Sequence, residues 1–416
     1  MTSKIIVNNI EADTGINTIT FNNDISSNTV RGNIISDGTS TFDVISGVST
    51  IGVTTAHVTS INNLSYPTAG GLSNRRININ GAMQVAQRGT SFTGVNATAY
   101  HCDRYEMYHQ NSGAAFTVTQ STDTPDGFAK SLKIDVTTAD TSIASNEEIK
   151  LVHKIEGFDV QNIIKGTSSA VPLTLSFYAK ATKTGTYIVE LYDRDNNRDV
   201  SASYTISDTN WNRYELNYPA DTGGSAFDDN NESSLEIQFW LVAGSAVQGG
   251  TLNTSWRTSS DGSSATGQIN FTDSTDNDWL ITGIQLEIGE RSTPFEHKGF
   301  GEELARCQRY HQRINSSAAN SRIATAGNGS PALSYPTTFL RTTMRSTPTI
   351  DYSTVGDFWN EGLQTGKDTV TALSLNIATT DTVTMSVTAS GGNGTAQGTN
   401  LLGKNSNAYF SFDAEL

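Results

Sequence analysis

The segment YDRDNNRD (192–199) carries the most suggestive spacing in the chain. Asp193, Asp195, Asn197 and Asp199 recur at every second position, and hard cations such as calcium are held by oxygen clusters of this kind. The segment lies between two strand-like runs and lacks the glycine and closing glutamate of a helical calcium loop. A polar hairpin with one solvated face is the expected arrangement, and bound calcium the alternative. His101, Cys102 and Asp103 adjoin one another, but zinc needs three or four spaced ligands. A structural role is expected for them, and no metal or other cofactor is expected.

Two turns are rich in carboxylates, one with Asp228, Asp229 and Glu232, the other with Asp273, Asp276 and Asp278. Glycoside hydrolysis needs two carboxyl groups facing each other at roughly 5–10 Å. Carboxylates in turns usually form the turn and face water, so no catalytic pair is expected. Phosphate loops, GxSxG elbows, HExxH helices and CxxC pairs are all missing from the sequence. The expectation is a protein that is not an enzyme.

Aromatic rings offer a different chemistry, since a flat apolar ring beside hydrogen-bonding neighbours can stack on a sugar. Trp211, Trp240 and Trp279 lie in strand patterns and are expected in a core. Trp256 falls in a Gly/Ser/Thr-rich stretch (244–268) that reads as a long surface loop. Tyr352, Phe358 and Trp359 crowd the irregular DYSTVGDFWNEG. These four are the candidate receptor-binding residues, and an edge-covering core cluster is the alternative for the last three.

The elements that must position such residues are strands. The 416 residues include 36 Gly and 56 Thr, with charged residues at only 17%, a composition suited to strands and turns rather than helices. With 35 aromatics the chain has core-forming material, which argues against a disordered polypeptide. A net charge of −15 without any basic run disfavours nucleic acid. No stretch has the roughly 18–20 apolar residues of a membrane span, and the start lacks the pattern of an export signal. Cys102 and Cys307 are expected as free thiols, a disulfide being the alternative.

Residues 1–70 hold 11 Ile but only one Leu, with short β-like runs about ten residues apart. So few bulky side chains bury little surface alone. An elongated segment whose strands pair with other copies of itself is expected, and 65–74 reads as a hinge. Residues 71–298 contain about a dozen alternating runs without intervening helices, the pattern of a sandwich or jelly roll. In LTLSFYA, for example, Leu173, Leu175 and Phe177 share one face. GFGEELARCQRYHQRI predicts a connecting helix over 299–315, with Leu304, Cys307, His311 and Ile314 on one stripe and Glu302 paired to Arg306. Residues 316–416 return to strand patterns. The expected fold is all-β: an elongated N-terminal β segment, a central β-sandwich of jelly-roll type, one connecting α-helix and a C-terminal β-sandwich.

NRRININGAMQVAQRGTSF, HCDRYEM, LSFYAKA, TNWNRYELNY, ITGIQLEIGERSTPFEHKGFGEELARCQRYHQRI and FLRTTMRSTPTID occur in that order. Together, over about 74–350, they resemble the carbohydrate-binding-like β-sandwich region of bacteriophage tail fibre and receptor-binding proteins. Gly283 to Tyr310 is the most specific part. SKIIVNNIEA and GVSTIGVTTAHVTSI are similar to the virion-proximal stretch of marine cyanophage tail fibres. The resemblance implies a homotrimer in the virion tail, assembled in the host cytoplasm. It would attach to tail or baseplate proteins through residues 1–70 and meet a host-surface polysaccharide further out, residues 316–416 forming the distal tip. Multivalency would then raise weak site affinities by about 10²–10⁴ for paired sites. A glycan-degrading spike and an architectural adaptor or head or neck fibre without ligand are the rival readings.

Overall fold

The computed structural model describes residues 60–61, 64–65, 71 and 73–416, except 260–261, 331, 363–365 and 392–397. The expectation for 1–70 thus lies outside the described residues, apart from a minimal antiparallel pairing of β1 (Ser60–Ile61) with β2 (Leu64–Ser65).

The central region runs through β3 (Ser91–Val95), β4 (Ala99–Cys102), β5 (Tyr105–Gln110), β6 (Ala115–Ser121), β7 (Ser131–Thr138) and β8 (Glu148–Glu156). It continues with β9 (Leu173–Ala181), β10 (Gly185–Asp193), β11 (Arg198–Ile206), β12 (Asn212–Tyr218), β13 (Ser233–Ala243), β14 (Arg257–Thr258) and β15 (Asp278–Ile288). One sheet has the order β14-β11-β10-β13-β8-β5-β4 and the other β12-β9-β15-β7-β6-β3. Period-two alternation sends one set of side chains from each strand into the space between them. Leu173, Leu175 and Phe177 meet Val189, Leu191, Ile237 and Phe239 in that core. Trp279 lies there fully buried.

The ININGAM strap closes one side of the sandwich. Asn78 donates from Nδ2 to the carbonyl of Ile284 (2.9 Å) and accepts from the N–H of Leu286 (2.9 Å). This bridges the point where β15 breaks register against β9. Gly283 sits in that bulge with φ +64°, and a Cβ there would lie 2.7 Å from the ring of Phe128, so only glycine suits the position.

The predicted helix is shorter than its stripe suggested. α1 (Phe300–Gln308) stops where the chain turns into β16 (His311–Asn315). The reason is tertiary. Tyr310 is buried beneath the Arg104 guanidinium, 3.4 Å from its ring centre, and His311 to Asn315 pair with a strand from the far end of the chain. Glu302 also bonds Lys298 (3.2 Å) rather than Arg306.

Beyond it come β17 (Ser321–Ser330), β18 (Leu333–Ser334), β19 (Thr337–Phe339), β20 (Thr349–Tyr352), β21 (Phe358–Gly362), β22 (Gly366–Ala378), β23 (Thr382–Ala389), β24 (Gly398–Gly403) and β25 (Tyr409–Asp413). β17 pairs with β19 on one side and β24 on the other, and the order β17-β19-β23-β22-β21-β24 returns to β17. The sheet therefore closes on itself around Val383, Met385, Leu401 and Phe358, with side chains filling the small interior. A second sheet, β16-β25-β20, completes this part. Among the described residues the architecture is all-β with a single α-helix, as the strand patterns and the one amphipathic stripe predict.

Candidate functional site

The outer face of the seven-stranded sheet is unusual. A sheet face turned from the core normally carries exposed polar residues. Here Glu106, Lys150, Glu190, Glu236, Gln238 and Trp240 are each no more than 9% exposed. Charged side chains are seldom buried to this extent unless paired. They line a cavity of about 330 Å³.

Strand register brings them together. On the outer face Glu190 of β10 lies opposite Gln238 of β13, and Tyr192 opposite Glu236. Across β13 and β8, Glu236 faces Lys154 and Trp240 faces Lys150. Tyr108 of β5 flanks Lys150 from the other side. The Lys150 ammonium lies 4.7 Å from the Tyr108 ring centre and 4.2 Å from that of Trp240. It also bonds Glu148 at 2.8 Å.

The other cations are engaged too. Lys154 bonds Glu106 at 3.1 Å, and Arg194 approaches Glu236 at 3.6 Å. Among the described residues Glu190 has no cation in contact. Its Oε2 accepts the indole N–H of Trp240 (3.0 Å). Burial pushes its carboxyl up to about 8, opposed in part by Lys150. The cavity is thus walled by aromatic rings and paired charges, with a carboxylic acid that keeps its proton at neutral pH. Such a surface can stack and hydrogen-bond a hydroxyl-rich ligand.

The 244–268 stretch is more than a surface loop. Val247 and Ala265 bury against Trp240 and Ile188 and cover one end of the outer face. This satellite core explains why Trp240 is 2% exposed on the side away from the main core. Its burial is as expected, although its neighbours differ from those expected.

The sequence-derived candidates do not converge. Trp256 is half-buried, its indole donating to the carbonyl of Pro219 (2.9 Å). Phe358 must be corrected as a receptor-binding residue: it is fully buried and stacks on Phe410 at 4.7 Å. Its alternation in β21 turns it inward. Tyr352 packs near Phe410 and donates to the carbonyl of Leu373 (2.7 Å). Trp359 is half-buried, with the Lys404 ammonium 4.4 Å from a ring centre. Trp211, expected in the core, instead lies half-buried beside β12 and donates to Asp123 (2.8 Å).

The alternating acids of 192–199 also go separate ways. Asp193 bonds Lys165 (2.7 Å), and Asp199 bonds Arg257 (3.2 Å) and Ser264 (2.7 Å). Asp195 accepts the Asp228 N–H (2.9 Å), and Asn197 accepts the Tyr192 hydroxyl (2.9 Å). Protein cations and donors, rather than a common centre, take these oxygens. Asp273 pairs with Lys183 and Asp278 with Lys133. Cys102 and Cys307 are free and buried.

No family model and no curated protein matches this chain. Among solved structures it is similar, over 51% of its length, to 21% of the chain of the bacteriophage CBA120 tailspike protein 4 enzymatically active domain (15% identity, TM-score 0.26). It thus spans about a fifth of that tailspike chain. It is also similar to a putative sugar binding protein from Bacteroides thetaiotaomicron VPI-5482 (13% identity, 51% and 100% covered, TM-score 0.30). A family 4 carbohydrate-binding module gives 14% identity, 50% and 97% coverage and a TM-score of 0.24. None of these three scores reaches 0.5.

Proposed function

We propose that this chain is a glycan-binding structural protein that works by adhesion rather than cleavage, and that the outer face of the seven-stranded sheet is its ligand site. The observation that carries the reading is the buried polar and aromatic cavity between Tyr108, Lys150, Glu190, Tyr192, Gln238 and Trp240. The sequence motifs over 74–350 support its placement in a phage tail fibre or spike. In that setting the chain forms homotrimers through residues 1–70, attaches to the virion there, and contacts a host-surface polysaccharide. Modest affinity at each cavity suffices when several engage together.

Binding of purified full-length protein to host cells and to immobilised host polysaccharide tests the adhesion. Tyr108→Ala should weaken it at least tenfold while leaving the melting temperature within a few degrees. Undiminished binding would move the site elsewhere. Mass photometry of the full chain tests the trimer, and a monomeric mass at micromolar concentration would overturn it.

A second reading, glycan cleavage, is favoured by one observation. Glu190 and Glu236 occupy diagonal positions on adjacent strands, and Glu190 holds a proton to about pH 8, as a general acid must. New reducing ends in host polysaccharide would establish that reading over adhesion alone.

A further inference from the structure

The pairing of charges in the cavity narrows the class of ligand, given the glycan-binding reading on which this inference rests. Three cations and four carboxyl groups line the outer face: Lys150 with Glu148, Lys154 with Glu106, Arg194 with Glu236, and Glu190 alone. Among the described residues lining the cavity, Lys150 and Lys154 are bonded and largely buried, and Arg194, 3.6 Å from Glu236, is the one exposed cation at the rim. An acidic sugar reaching either lysine would have to break its pair and strand a largely buried carboxylate, which is costly. The chain as a whole carries −15, so its long-range field also repels polyanions.

We propose that this face takes an uncharged glycan and discriminates against polysaccharides bearing carboxylates or sulfates, with the Glu190 carboxyl as a hydrogen-bond donor to the ligand. Glu190 Oε2 is occupied by the Trp240 indole, so Oε1 is the atom left to offer a proton to a sugar oxygen. The groups around this carboxyl are defined on every side. Lys150 and Glu148 face it from β8, Asp199 from β11, and Trp240 and Gln238 from β13, with Glu236 diagonal to it. The Tyr218 phenol of β12 senses it from the core side. Only Lys150 favours its ionised form by charge, and that ammonium is already bound to Glu148. Loss of the proton would replace the donor by a buried anion under the charges of Glu148 and Asp199. Binding therefore weakens on the alkaline side.

The test uses the full chain against soluble neutral probes (xylan, galactan, mannan and mixed-linkage glucan) and acidic probes (polygalacturonate, alginate and a sulfated galactan). Affinity electrophoresis at pH 6.5 and pH 9 gives the readout. At least one neutral probe should bind tenfold or more tightly than every acidic one. Its affinity should fall about tenfold between the two pH values, and Glu190→Gln should flatten that profile. An acidic probe bound as tightly as any neutral one, and released by Tyr108→Ala, overturns the inference but leaves the glycan face standing. A pH profile unchanged by Glu190→Gln overturns the donor role. Failure of all probes, or binding indifferent to Tyr108→Ala, overturns the glycan face itself.

Discussion

Trp240 donates its indole N–H to Glu190 from the neighbouring strand, and neither side chain is more than 4% exposed although both lie outside the main core. Burial makes this carboxyl prefer its proton, against the opposing pull of Lys150 and the indole bond. Its pKa in the folded chain is about 8, against about 4.3 in an unfolded chain. The folded form thus binds the proton more tightly. The stability gained from it is complete below about pH 4 and is lost as pH rises towards 8.

Glu190→Gln should accordingly gain stability over the parent as pH rises, levelling off at on the order of 5 kcal/mol above pH 8. Urea unfolding at pH 5, 7 and 8.5 measures this. A stability difference that stays flat across those values would show that Glu190 does not retain its proton on folding.

Lys165 lies buried with its ammonium 2.7 Å from Asp193, 2.8 Å from the Ser225 carbonyl and 3.5 Å from Asp221. Arg198 keeps Asp221 neutralised through two 2.8 Å bonds, but Asp193 has no second cation in contact. Lys165→Met should cost about 3–5 kcal/mol, the usual effect of stranding a buried charge. Adding Asp193→Leu should recover much of that loss. A single-variant loss under 1 kcal/mol would contradict the buried pair.

The junction between the sandwich and the C-terminal part depends on Arg104. It is 1% exposed, bonds Glu415 and the Lys154 carbonyl, and covers the ring of Tyr310. Arg104→Met takes the guanidinium from the Tyr310 ring and the Lys154 carbonyl and leaves Glu415 with Arg88, 3.3 Å away, and a loss of about 1.5–3 kcal/mol is expected. Limited proteolysis should then release the region after Tyr310 sooner than in the parent. Equal digestion rates would count against this role.

Both thiols are buried, and desolvation raises their pKa values. Thiolate, the reactive form, is therefore scarce and shielded. A thiol-specific reagent should label neither cysteine in the native protein and both in urea. Rapid labelling of either one in the native chain would sink this prediction.

Much of the architecture was legible because period-two patterns are strong. LTLSFYA and DWLITGIQLEIG place Leu175, Phe177, Trp279 and Ile281 on the core, and LEIQFWLV places Ile237 and Phe239 there while its Trp240 turns to the opposite face. The helix was half legible: Leu304 and Cys307 pack as its stripe requires, whereas His311 and Ile314 were captured by β25, a partner about 100 residues away that local periodicity cannot announce. The site was hidden for the same reason. A carboxylate or amide two residues before an aromatic recurs in Glu106 and Tyr108, Glu190 and Tyr192, and Gln238 and Trp240. That repeat was a usable signal, but only the strand order β10-β13-β8-β5 shows that the three pairs share one face. Phe358 misled because an irregular, aromatic-rich stretch looks the same whether it covers a core or displays a platform.

The position of β25 sets an order of events in biosynthesis. It is the middle strand between β16 and β20, and it delivers Phe410 and Phe412 to the second core. A nascent chain still short of residue 409 leaves both flanking strands without their partner. Closure of this region must therefore wait until translation has passed that point, whereas the sandwich strands through Ile288 can pair while the polypeptide is still being made.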